Sequence, residues 1–261
     1  MRRWTVAVAL LAACSGESAP PVAVTPPPPP LVIREILAPS PLELDRQVRA
    51  AGLTEGIGAL VPTTPPPAPP PEQKDRVAFR TGVVYAHLLL SGRTADKAAL
   101  LANLTAVAEG MATLGASADL QKTMDTAIVH LRNDTSSRED FLVELDAAVA
   151  ATDPATGWGS GDQTGPLLQA GAWLAGINLV AKAVVAKADP AAADALLRHP
   201  EIPRYFLDYV HTGAGADKVG VFLDSVKSTL TTMEAIAKKP RLDLADAAAV
   251  VEATDALLQL N

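Results

Sequence analysis

The stretch GPLLQAGAWLAGINLVAKAVVAKA, Gly165–Ala188, decides the fold. No charged residue stands between Asp162 and Lys182, and Pro166 lies where a helix begins. A helix apolar on nearly all sides is either buried among other helices or spans a membrane. Spanning needs about 20 predominantly apolar residues, because polar groups are costly in lipid. Here Gln163, Thr164, Gln169 and Asn178 interrupt the run, with Gly165, Gly171 and Gly176 between them. The stretch therefore reads as the buried central helix of an all-α domain. Gly171, Ala172, Ala175 and Gly176 are small enough to let neighbouring helices approach closely, and Trp173 is a bulky packing residue among them.

Helical signals recur on both sides of it, and sustained alternation of the strand type is almost absent. Asp75–Leu90 carries Val77, Val84 and Leu88 on one side and stops near Gly92. Thr94 is the expected cap of the next helix, which holds Leu100, Leu104, Val107, Met111 and Leu114 before Gly115. Ser117 caps a third, with Leu120, Met124, Ile128 and Leu131. Ser136 and Glu139 have capping-box spacing ahead of Phe141, Leu142, Leu145 and Val149. After the central helix, Asp189-Pro190 opens a short helix, and Pro200 and Pro203 bracket a turn before Tyr205–His211. Val219 to Ile236 forms a clean helical stripe that Pro240 ends, and Asp243 opens the last helix. Long helices joined by short loops pack as antiparallel neighbours. The expectation is an all-α bundle of about seven to nine helices over residues 72–261.

The N-terminus is of another kind. Arg2 and Arg3 precede the short apolar run Thr5–Ala13, the layout of a secretory signal peptide too short to span a membrane. Leu11-Ala12-Ala13-Cys14 resembles the bacterial lipobox, which implies cleavage before Cys14 and acylation of that cysteine. More than one acyl chain gives stable anchoring where one is marginal. Cys14 is the single cysteine of the chain, so the domain beyond it has no disulfide and depends on its core. Residues 1–13 are thus read as signal, and 14–71 as a lipid-anchored linker. Sixteen of the 22 prolines lie before position 72 and favour an extended, semi-rigid spacer. Within the linker, Pro41–Gly52 places Leu44, Val48 and Ala51 on one side of a short helix. That piece either docks on the domain or is solvated linker. Ser15 after the cysteine points to the outer membrane or a periplasm-facing position rather than the inner membrane.

The order of features also resembles a group of uncharacterised all-helical bacterial envelope lipoproteins. The matching pieces are Gly82-Val-Val-Tyr-Ala-His87 and Leu104–Ala116, which ends Leu-Gly-Ala. Asn133–Leu142 and Gly171-Ala-Trp-Leu-Ala-Gly-Ile-Asn-Leu179 follow. Ala175 departs from the acidic residue usual in that group. The resemblance covers about Arg76 to Lys187. It implies a helical lipoprotein and no particular activity.

No catalytic constellation stands out. His87, His130, His199 and His211 do not pair at helical spacing, and no metal or other cofactor is expected. Ser160 in Gly157-Trp-Gly-Ser-Gly161 matches neither the nucleophile elbow nor a phosphate loop. Net charge is −7, and −9 once Arg2 and Arg3 leave with the signal, without a basic stripe; nucleic acid is not an expected partner. The candidate ligand or partner contacts are Trp158, Trp173, Asn178, Tyr209 and His211. The leading expectation is a non-enzymatic interaction or scaffold domain, tethered through Cys14 and meeting an envelope protein. The alternatives are a small-ligand module around Trp158, Trp173 and Tyr209, and a hydrolase built from Ser160, Asp208 and His211.

Overall fold

The structure is a computed structural model that describes residues 38–53, 57–150, 164–210 and 218–260. Cys14, Trp158, Ser160 and His211 lie outside the described residues, as does the side chain of Tyr209. From Lys74 onward there are nine α-helices among the described residues, with one more ahead of them and no strand. The protein is all-α. The helices are α1 (Pro41–Ala50), α2 (Lys74–Ser91), α3 (Lys97–Leu114), α4 (Ala118–Asn133) and α5 (Arg138–Ala150). They continue with α6 (Thr164–Lys187), α7 (Pro190–Leu197), α8 (Glu201–Tyr209), α9 (Lys218–Ala237) and α10 (Leu244–Leu258).

The stretch that decides the fold is α6, and it is the central helix. Its largest contact is with α2, followed by α10, and it also touches α1, α7 and α8. Among the described residues it is the one helix long and apolar enough to cross a membrane, yet 78% of its most apolar window is buried by the rest of the fold. A core helix and a spanning helix pass the same composition test; the neighbouring helices identify this one as core.

Two glycines set how closely α2 and α6 pack. A Cβ at Gly82 would lie 1.9 Å from the carbonyl oxygen of Leu168, and one at Gly171 would lie 2.1 Å from that of Phe79. The two backbones therefore meet with no side chain between them. Around this seam the core is dense: Phe79 stands edge-on to Phe222 of α9 with centroids 5.4 Å apart, and Leu88, Leu104, Met111, Leu167 and Leu174 are fully buried.

Several helix starts follow local chemistry as expected. Ser117 Oγ accepts from Leu120 N, Asp189 caps α7 ahead of Pro190, and Asp243 forms a capping box with Asp246. Others shift by a residue or two. The cap of α3 is Asp96, whose Oδ1 accepts from Ala99 N at 2.7 Å, while Thr94 Oγ1 donates to Ser91 O in the preceding turn. The α5 start uses Ser137 and Asp140, not Ser136 and Glu139. Pro203 lies within the first turn of α8, where a missing N–H costs nothing, so the helix begins before the expected turn ends. Lys238 and Lys239 follow the end of α9 and pair with Glu234 and Asp246.

Of the two readings of Pro41–Gly52, the docked helix is the one observed. Ser40 and Glu43 form a capping box, and Leu42, Leu44 and Val48 of α1 are buried. Leu53, Ile57 and Val61 continue the buried line beyond it. Further on, the Arg80 guanidinium donates from Nε and Nη2 to the carbonyl of Pro66 and from Nε to that of Pro67, at 2.7–3.1 Å. The packed part of the chain thus begins ahead of the composition break at residue 72.

Candidate functional site

The most concentrated polar chemistry inside the fold lies where α2, α6 and α10 meet. Asn178 of α6 is buried, and its Nδ2 donates to Thr254 Oγ1 at 2.8 Å and to Asp255 Oδ1 at 2.9 Å, both on α10. One helical turn further along α6, Lys182 Nζ reaches the same Asp255 oxygen at 2.8 Å. Thr254 Oγ1 itself donates to Val250 O, so its lone pair is free to receive Asn178. This network is buried at Asn178 and Thr254 and opens to solvent at Lys182 and Asp255, each side chain about a third exposed (37% and 36%).

His87 of α2 lies near the cation of this group. Its ring is buried, and Nδ1 has no hydrogen-bond partner among the described residues. Burial first, and the positive charge of Lys182 second, lower its pKa to about 4. The imidazole is therefore neutral at pH 7. Among the described residues no carboxylate or hydroxyl is hydrogen-bonded to Nδ1. The hydrogen bonds of Asn178 and Lys182 to Thr254 and Asp255 form a polar bolt between α6 and α10.

A second polar node joins α1, α2 and α5. Tyr85 OH donates to Asp146 Oδ1, and Ser40 Oγ donates to Asp146 Oδ2, both at 2.9 Å. Burial, then the Asp146 charge and hydrogen bond, hold the Tyr85 phenol well above its usual pKa.

The candidate contacts do not converge among the described residues. Trp173 is buried against Phe206 of α8 with centroids 5.8 Å apart, and its Nε1 is unpartnered. Asn178, five residues later, lies about 140° around the helix from it. Tyr209 ends α8. Asp208 pairs with Arg204 at 3.3 Å in an exposed i,i+4 ion pair. Among the described residues no group of three or more His, Cys, Asp and Glu side chains is placed to hold a metal ion. Two surface concavities are open to solvent. One of about 210 Å³ lies between α4 and α5 over Phe141 and Leu145, with Lys122, His130 and Glu144 on its rim. The other, about 410 Å³, lies between α9 and α10 beside Val221, Leu257 and Leu260.

Sequence reasoning missed Thr254, Asp255, Lys182 and Asp146 as interacting residues. Asn178 and its α10 partners are 76 and 77 positions apart, and no local spacing encodes such a pair. Asn178→Ala is expected to cost about 2 kcal/mol, because it strips a buried acceptor of its donor at an interface that cannot take up water freely. Urea unfolding of Asn178→Ala, Thr254→Val and the double variant measures this; fully additive losses would show that the two side chains do not interact.

The fold and these nodes define the chain as an all-α helical bundle around one buried central helix. No known protein family matches the chain, and no curated protein or solved structure shows detectable similarity to it.

Proposed function

We propose that the chain is a bacterial envelope lipoprotein, anchored in a membrane through acylated Cys14, whose helical domain is a non-enzymatic interaction or scaffold module. The observation that carries the reading is Leu11-Ala12-Ala13-Cys14 behind Arg2, Arg3 and the apolar run Thr5–Ala13. Support for the non-enzymatic part comes from the two hydrogen-bonded nodes inside the fold. Asn178, Thr254, Lys182 and Asp255 satisfy one another, and Tyr85 and Ser40 both spend their hydroxyls on Asp146. Ser15 after the cysteine favours the outer membrane or a periplasm-facing position, and the partner is an envelope protein rather than nucleic acid.

A small-ligand module is the second reading. Two concavities speak for it: the one beside Val221 and Leu257, at about 410 Å³, lies within the range of about 300–1,000 Å³ usual for ligand sites, and the one over Phe141 and Leu145, at about 210 Å³, lies below it.

The test is acyl labelling, fractionation and affinity capture from solubilised envelopes, comparing wild type with Cys14→Ala. Wild type is expected to take up labelled palmitate, sediment with membranes and retain specific envelope proteins; the variant loses all three. A variant that still sediments like wild type would sink the anchor. Retention of a small molecule and no protein would favour the second reading.

A further inference from the structure

The segment that joins the proposed anchor to the helical body is docked by an interface with a built-in weakness. Besides the burial of Leu42 and Val48, three features hold α1 down. Ser40 Oγ reaches Asp146 on α5, the capping box of Ser40 and Glu43 orders the first turn, and Leu44 fills a slot in α6. That slot exists because residue 176 is glycine: a Cβ there would lie 2.6 Å from Leu44 Cδ1.

One feature opposes docking. Asp45 is buried in α1 with only 5% of its surface exposed, and its Oδ1 has no hydrogen-bond partner among the described residues. Its other oxygen accepts from Arg49 Nε at 2.8 Å, within α1 itself. When α1 lifts away, the carboxylate keeps access to Arg49 and gains water. Docking therefore strips a carboxylate oxygen of solvent and returns no donor, a direct free-energy cost. The seam between α2 and α6 has no such defect at Gly82 and Gly171, where the backbones touch directly.

We propose that α1 is a releasable clasp, which undocks from α6 while the helical body stays folded and so lengthens the tether. The undocking is a property of the chain itself; its effect on reach rests on the anchor at Cys14. With α1 docked, Ser40 stands 26 positions after Cys14, a span of at most about 90 Å. With α1 released as far as Ile57, the first docked residue is Ile57, 43 positions after Cys14, a span of at most about 150 Å. The partner this device suits is an envelope protein at variable distance from the membrane.

Hydrogen exchange on the full-length protein tests the clasp. The amides of Leu44–Leu53 are expected to exchange through a local opening, well ahead of those in the middle of α6. Ser40→Ala, which removes the cap and the contact to Asp146, is expected to speed them about tenfold. Gly176→Ala, which narrows the slot from the other side and leaves α1 untouched, should act in the same direction. Asp45→Ala removes the opposing carboxylate and is expected to slow them about tenfold. The α6 amides stay unchanged in Ser40→Ala and Asp45→Ala. Exchange of the α1 amides at the α6 rate in wild type, or no slowing in Asp45→Ala, would overturn the clasp. Failure of the anchor is read separately, as absent acyl labelling at Cys14 with this exchange pattern intact.

Discussion

Alanine in place of Gly82 or Gly171 is expected to lower stability by about 3 kcal/mol, at the upper end of the usual cost of overpacking. The sign alone is diagnostic. Gly→Ala inside an exposed helix stabilises by about 1 kcal/mol, because alanine is the better helix former. Here the added methyl meets backbone. At Gly82 it would lie 1.9 Å from Leu168 O and 2.8 Å from Ala172 N, and at Gly171 it would lie 2.1 Å from Phe79 O. A flexible side chain could rotate aside, but a carbonyl held in a helix cannot. Relief requires α2 and α6 to move apart, and that opens the seam on which Phe79, Leu167 and Leu174 pack. Urea unfolding of both variants at neutral pH measures the loss. A change below about 1 kcal/mol, or any stabilisation, would show that the two helices are not in backbone contact.

The second large effect concerns acid. His87 is held neutral in the folded protein, with its pKa lowered to about 4 from a usual value near 6.5. The unfolded chain therefore takes up a proton at higher pH than the folded one. This contribution to stability is whole above about pH 6.5 and is lost as the pH falls through the interval down to about 4. The loss reaches about 3 kcal/mol, from about 1.4 kcal/mol for each pH unit between the two values. The cause is burial first and Lys182 second. His87→Leu keeps the apolar contacts and removes the titrating ring, so it should flatten this part of the pH profile. Urea midpoints at pH 7.5 and 4.5, for wild type and variant, separate the His87 term from the carboxylate titrations common to both. An equal acid loss in the two proteins would refute the assignment.

Much of the helical layout was legible because its signals are local. Ser117, Asp189-Pro190, Asp243 and Pro240 each act on backbone groups within four residues of themselves, and a reader of the chain sees those groups directly. Errors arose where two capping residues compete within a few positions. Thr94 and Asp96 are both good caps, as are Ser136 and Ser137, and only the path of the preceding turn selects between them. The Ser40–Glu43 capping box was a signal of the same local kind for α1. Whether α1 docks was not local at all. Leu44 needs the space left by Gly176, 132 positions away, and Ser40 needs Asp146.

The polar nodes were illegible for the same reason. Asn178 reads as an interruption in an apolar helix and as a candidate ligand or partner contact until α10 places Thr254 and Asp255 beside it. His87 reads as one of four unremarkable histidines until burial and Lys182 fix its protonation. By itself the sequence determined the all-α class, the central place of Gly165–Ala188 and most helix ends, because periodicity and capping are written within a few residues. It also carries the proposed anchor at Cys14, a recognition motif read along the chain and independent of folding. Only the tertiary structure decided the α2–α6 seam at Gly82 and Gly171, the docking of α1 and the bolt through Asn178. Each joins residues far apart in the chain, and a contact of that kind takes its energy from burial that exists only once the helices have met.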